Sequence, residues 1–136
     1  MAAEHMVDVE VLTPEGEVFN GEVRQVSTRT AVGELGILAN HAPLLASLQP
    51  AELRLHVSDS ETVRYAQSHG WLQVFGNKAK LLLEEAIAPE DLDAAKLKEQ
   101  LADAEQRLAE AGGDGAQARA EKDRDRAEAF LAIAQG

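Results

Sequence analysis

Cysteine is missing from the 136-residue chain, which excludes a disulfide framework, a thiolate metal site and a cysteine nucleophile while leaving the redox compartment open. Positive charge is scarce: 13 basic residues stand against 24 acidic ones, a formal charge of −11. Phosphate backbones and anionic lipids attract the opposite sign, so no nucleic acid is expected as a partner. No window approaches the roughly 18–20 apolar residues that a bilayer crossing needs, so membrane association would run through partners, without direct insertion. The N-terminal stretch MAAEHMVDVEVL lacks a basic run followed by an apolar one. It does not read as a secretory signal; Met1 and Met6 are both candidate starts, and the protein reads as intracellular.

Catalytic groupings are missing as well. His5, His41, His56 and His69 lie in separate segments without ligand spacing, so no metal site is expected. No serine sits in a nucleophile-elbow glycine frame, and no phosphate-binding GxxxxGK(S/T) loop occurs. The acidic pairs Glu84-Glu85 and Asp91 with Asp93 read as solvated surface or helix-start charge in a chain this acidic. The chain reads as a non-enzyme.

What is present is a 45% apolar composition, enough for a core, in a pattern that changes period once, near Ala86. Before that point the period is two. Val7, Val9 and Val11 alternate with polar neighbours, and Thr13-Pro14-Glu15-Gly16 supplies a turn. Val18 and Phe19 lead into Asn20-Gly21, a pair suited to a tight reversal, after which Val23 to Val26 resume an extended run. Leu53, Leu55 and Val57 form a strand that breaks at Asp59-Ser60 and restarts at Val63 and Tyr65. Residues 71–75, the turn Gly76-Asn77 and residues 78–83 repeat the unit. Short, evenly punctuated strands of this kind predict two antiparallel sheets packed face to face, a β-sandwich over residues 1–86.

Residues 87–136 are rich in helix formers. Pro89, followed by Glu90, Asp91 and Asp93, predicts a helix start there. Leu97, Leu101, Ala104, Leu108 and Ala111 form one seam, and Gly112-Gly113-Asp114-Gly115 ends the helix. A second helix follows, with Ala120, Ala127, Leu131 and Ala134 on one side and Phe130 and Ile133 beside them. The fold class is therefore β + α: an N-terminal antiparallel β-sandwich, then a C-terminal antiparallel two-helix hairpin. Alanine seams bury little area at about 0.8 kcal/mol per methylene, and Asp123 falls near the second seam, so the hairpin is expected to detach easily.

Residues 31–43 are glycine-punctuated with an apolar middle, open to two readings: a docking surface, or a bulged strand crossing between sheets with His41 in a turn before Ala42-Pro43. Here the chain resembles a known family. Gly33-Glu34-Leu35-Gly36-Ile37 followed by His41-Ala42-Pro43-Leu44-Leu45 is similar to the most recognisable stretch of the epsilon subunit of bacterial F-type ATP synthases, the delta subunit of mitochondria. Val18-Phe19-Asn20-Gly21 resembles the family's aromatic-x-Gly turn, and residues 70–74 (GWLQV) its Gly-aromatic-Leu-x-Val strand. Asp91-Leu92-Asp93 resembles the start of its first C-terminal helix. Ser68-His69-Gly70 departs from the family's usual Ser-Gly-Gly, which implies a backbone that does not need positive φ at His69.

The resemblance implies a non-catalytic rotor subunit of the central stalk, peripheral on the cytoplasmic face of the bacterial plasma membrane. Its sandwich would bind the gamma subunit and the c-ring, coupling proton-driven rotation to ATP synthesis. By position, Glu34, Leu35 and Gly36 would lie at the c-ring contact and His41, Ala42 and Pro43 near gamma. In the family the helices fold down on the sandwich or extend toward the alpha and beta subunits, where they inhibit hydrolysis. Arg119, Lys122, Arg124 and Arg126 would then face acidic loops, the alternative being an exposed face that carries cations for solubility. Some members bind ATP through (Ile/Leu)-Asp-x-x-Arg-Ala and further arginines. The motif here reads Leu92-Asp93-Ala94-Ala95-Lys96-Leu97, leaving Asp93, Lys96 and Arg126 as the candidate set. Lysine loses the bidentate fork, and Asp103 and Phe130 replace two arginines, so ATP binding is disfavoured and no cofactor is expected. Two rivals are a free-standing β-sandwich binding module, which needs no hairpin, and an ATP sensor, which needs the missing arginines.

Overall fold

The computed structural model describes residues 5–136; Met1, one candidate start, lies outside them. Among the described residues, ten strands precede two helices. The first two, β1 (Val7–Thr13) and β2 (Gly16–Val23), form a hairpin that reverses at Pro14-Glu15, with Thr13 paired to Gly16. The reversal predicted at Asn20-Gly21 is overturned. Strand β2 runs through both residues, which pair with Glu10 and Val9, and neither has positive φ. The physical reason is length: a strand ending at Asn20 would leave the backbone groups of Val7 to Val9 that face β2 without a partner. The break falls at Arg24, whose N–H donates to the His56 carbonyl at 2.7 Å as the chain leaves β2.

The remaining strands are β3 (Gln25–Thr30), β4 (Gly33–Ile37), β5 (Leu44–Leu48), β6 (Ala51–His56), β7 (Thr62–Gln67), β8 (Gly70–Phe75), β9 (Lys78–Leu83) and β10 (Ala86–Ile87). Their order is β10-β7-β6-β3-β5-β8-β9-β1-β2, with β4 alongside β3. The sandwich is confirmed, with two corrections. Its layers are joined where Thr30 of β3 pairs with Leu48 of β5, so they form one continuous sheet. Strand β1 also lies parallel to β9, with Val9 opposite Ala79 and Val11 opposite Leu81. A parallel pair needs a long crossover, and the intervening strands supply it.

The period-two residues make the core: Val7, Val9, Val11, Leu53, Leu55, Leu72, Val74, Ala79, Leu81 and Leu83 are buried. The buried amide of Gln67 is satisfied, accepting from Thr28 Oγ1 at 2.6 Å and donating to the Gln49 carbonyl at 2.8 Å. At the β8–β9 turn Gly76 and Asn77 have φ 58° and 59°, the mirror-image turn their residue types predict. Gly70 is needed for a different reason. A Cβ there would lie 2.1 Å from the Leu82 carbonyl oxygen, while His69 is indeed free of positive φ.

The helix start predicted at Pro89 is also corrected. Pro89–Asp91 forms a separate 3-10 turn and Leu92 is extended at ψ 139°. Helix α1 (Ala94–Glu110) begins after Asp93, whose carboxylate accepts from the Lys96 N–H at 3.2 Å. Its side chain caps better there than as part of a proline-led turn. Helix α2 (Asp114–Gln135) starts inside the glycine tract, so only Gly112 lies between the C-cap Ala111 and the N-cap Gly113. The predicted seam is where α1 and α2 meet, with Leu97, Ala104, Ala120 and Ala127 buried. Phe130 is fully buried with Leu97 against Ala66 of β7, so α2 is seated on the sheet as well as on α1. Asp123 escapes the anticipated burial cost: it is half-exposed and accepts from Arg107 at 2.9 Å.

Gly70→Ala should lower sandwich stability by about 2 kcal/mol through overpacking. Gly112→Ala, with nothing within 4 Å of the added carbon, should change it by less than about 0.5 kcal/mol. Urea unfolding of both variants checks this, and equal midpoints would refute the close approach at Gly70.

Candidate functional site

The segment 31–43 is a hairpin followed by a crossing. Strand β4 pairs with β3 without a bulge, from Val26 with Ile37 to Thr30 with Gly33. Its tip is held by Thr30 Oγ1, which donates to the Gly33 carbonyl at 3.0 Å and accepts from the Val32 N–H at 3.2 Å. Val32 itself is 98% exposed, an apolar side chain that the pattern reading passed over. Of the three residues aligned with a c-ring contact, Glu34 points to solvent and accepts from Arg29 at 3.2 Å. Leu35 instead packs on the core, and Gly36 lies against the Gln25 amide.

His41, Ala42 and Pro43 sit apart from that group, at the start of β5. The Asn40 N–H donates to Asn77 Oδ1 at 2.7 Å, and Asn77 Nδ2 donates to the Met6 carbonyl at 3.0 Å. These bonds pin the crossing to the β8–β9 turn. His41 Nδ1 donates to the Ala42 carbonyl at 2.7 Å, and Ala42 and Pro43 are exposed.

Beyond Pro43 lies an apolar strip. Cross-strand partners share a face, and Trp71 is opposite both Ser47 and Leu82, while Gln73 is opposite Leu45. The outer face of β5, β8 and β9 therefore carries Leu45 at 70% exposure, Trp71 at 54%, Phe75 at 69% and Leu82 at 46%. Lys78 and Lys80 border it, both near Glu10 Oε1 at 3.7 and 3.9 Å. The sequence places Trp71 and Phe75 in a strand, and the finished sheet leaves their face uncovered. The available signal was the alternation itself, since Leu72 and Val74 claim the core side.

Three of the four candidate cations of α2 are paired within the chain. Arg126 Nε and Nη2 donate to the two carboxylate oxygens of Glu85 at 2.5 and 2.9 Å, and Nη1 donates to Gln100 of α1 at 3.1 Å. Its guanidinium lies over the Phe130 ring, 4.6 Å from the centroid. The hydrogen bonds to Glu85 push the Arg126 pKa up from its ordinary value. Lys122 donates to Glu84 at 2.7 Å, Arg124 turns onto Asp125 at 3.0 Å, and Arg119 is exposed. Glu84 and Glu85 are thus not simply solvated charge. The Glu85 N–H donates to Ser68 Oγ at 2.6 Å and the Glu84 N–H to the His69 carbonyl at 2.9 Å, which fixes the connector that presents both carboxylates to α2. His69 is half-buried here, and burial, reinforced by the Lys122 charge, holds its pKa below the usual histidine value.

The candidate nucleotide set does not assemble into a phosphate site. Asp93 caps α1, the Lys96 side chain is exposed, and Arg126 is bound to Glu85. The cleft between the helices, about 380 Å³, is lined by Glu99, Gln100, Asp103, Arg107, Asp123 and Arg126. Its other arginine, Arg107, donates to Asp103 and Asp123 at 2.9 Å each. A polyphosphate would meet three carboxylates and two neutralised cations. Among the described residues no group of three or more candidate metal ligands occurs, and no helix is long and apolar enough to cross a membrane.

Comparison with known proteins agrees with this architecture. The family described as ATP synthase, Delta/Epsilon chain, beta-sandwich domain matches residues 6–89. The ATP synthase epsilon chain of Persephonella marina is 43% identical over 105 residues, covering 77% of each chain. That of a Sulfurihydrogenibium species is 36% identical over 130 residues, covering 95% of this chain and 97% of its own. Among solved structures, a chain of the Euglena gracilis mitochondrial ATP synthase (OSCP/F1/c-ring) superposes with a TM-score of 0.82 at 20% identity, covering 97% of this chain and 83% of its own. A chain of the Tetrahymena thermophila central stalk and c-ring gives 0.73 at 14% identity, covering 93% and 95%, so both show a shared fold. With a matched sandwich domain and relatives aligned along nearly its whole length, the chain belongs to the delta/epsilon family of ATP synthase subunits.

Proposed function

We propose that the chain is a non-catalytic rotor subunit that joins the gamma subunit to the c-ring and helps couple proton-driven rotation to ATP synthesis. The observation that carries this is the exposed strip of Leu45, Trp71, Phe75 and Leu82, continuous with the pinned crossing at Ala42-Pro43. An uncovered apolar sheet face bordered by charge marks a protein contact. We assign this face to gamma, extending the contact aligned at His41, Ala42 and Pro43. The β3–β4 hairpin, with Val32 at its tip and Glu34 on its outer side, is assigned to the c-ring. In this reading the protein sits at the cytoplasmic face of the bacterial plasma membrane only through these partners.

The hairpin is read as the regulatory part. Arg119, Lys122, Arg124 and Arg126 would reach the alpha and beta subunits after α1 and α2 leave the sandwich. Lys122 and Arg126 would first have to give up Glu84 and Glu85. A nucleotide-sensing role has less support, because Arg126 and Arg107 are already bonded to carboxylates and Lys96 is exposed away from them.

Replacing Leu45 and Phe75 together by glutamate should weaken capture of gamma about a hundredfold or more, with circular dichroism unchanged because both side chains are exposed. Undiminished co-purification with gamma would refute the assignment. Truncation after Ala88 in the assembled complex should raise ATP hydrolysis while leaving assembly intact; an unchanged rate would sink the regulatory reading. Isothermal titration of the isolated chain with ATP should show no binding in the micromolar range, and a saturable heat at that level would restore the nucleotide site.

A further inference from the structure

The apolar seat of α2 is narrow. Its fully buried side chains are Ala120, Ala127 and Phe130, while Ala129, Leu131, Ile133 and Ala134 pack beside them only partly buried. Against this stands a polar hub of better geometry. Arg126 engages Glu85 on the connector through Nε and Nη2, Gln100 on α1 through Nη1, and the face of Phe130 on its own helix. One side chain thus ties three elements together, with Arg126 at 24% and Glu85 at 37% side-chain exposure. Ion pairs that are bidentate and shielded are the ones that contribute measurably, whereas open single contacts contribute little. Lys122 with Glu84 is of the second kind, with both partners about half exposed.

Glu85 is not free to follow the helix if it moves. Its N–H donates to Ser68 Oγ, whose hydroxyl donates back to the Glu85 carbonyl at 3.3 Å, so the acceptor stays with the sheet. A mobile cation facing a fixed carboxylate is a latch. We propose that Glu85 and Arg126 form an electrostatic latch that sets the balance between a docked and a detached hairpin, with the Lys122–Glu84 pair as a minor assistant. The latch operates within the chain itself, independently of what the released hairpin contacts.

The full chain has no cysteine, so two labels can be placed without background. Cysteines at the exposed positions Ser60, on the β6–β7 turn, and Glu128, on α2, report the separation of sandwich and helix by pulsed spin-label distance measurement. Glu85→Gln should raise the longer-distance population about tenfold or more, Glu84→Gln by less than about threefold. Raising salt from about 0.05 M to about 1 M should favour detachment in the parent and change little in Glu85→Gln. The exchange Glu85→Arg with Arg126→Glu should recover part of the docked population. If Phe130→Ala detaches the hairpin while Glu85→Gln and salt leave the distances unchanged, the seat is apolar and the latch is overturned. Sandwich stability measured alongside separates release from unfolding.

Discussion

The close contact between the start of β8 and the exit of β9 organises both halves of the molecule. Gly70 lets its backbone come against the Leu82 carbonyl at a distance no side chain would permit. Immediately before it, Ser68 and His69 hold Glu84 and Glu85 through backbone bonds. On one side, this packing sets the register that turns Trp71 and Phe75 outward while Leu72 and Val74 fill the core. On the other, it fixes the connector from which two carboxylates meet α2. A shift of one residue here would invert the faces of β8 and disperse the acidic pair together.

Much of the sandwich was legible because burial on one face enforces period two. The valines of β1, the leucines of β6 and the Gly76-Asn77 turn were read directly, since each depends on near neighbours in sequence. Asn20-Gly21 misled because its turn chemistry is real but weaker than the backbone pairing that β1 demands along its full length. The parallel β1–β9 pair left no local mark, for strand direction depends on where the chain returns. Pro89 misled similarly: it suits a first helical turn, yet Asp93 supplies the better cap.

The candidate sites divide along the same line. Residues 33–45 were picked out by composition and resemblance, but the apolar strip that continues them was missed, because exposure is a property of the finished sheet. Glu84-Glu85 was read as solvated charge for the opposite reason. Nothing in a run of two acids reveals that Arg126 and Lys122, some forty positions later, will be laid across them.

The charge balance explains why this matters. With 24 acidic and 13 basic residues, the acidic side chains outnumber the cations available to pair with them, and self-repulsion favours expansion. Cations spent at the junction between sandwich and hairpin therefore act where attraction between two bodies is needed most. A larger apolar seam would hold the helices as firmly but would respond little to charge, since burial is indifferent to sign and salt. An interface of small alanines, one fully buried phenylalanine, partly buried Leu131 and Ile133 and a bidentate ion pair divides its attraction between apolar and charged contacts. Its polar part also keeps the docked geometry specific, because a guanidinium fork accepts only one orientation of its carboxylate.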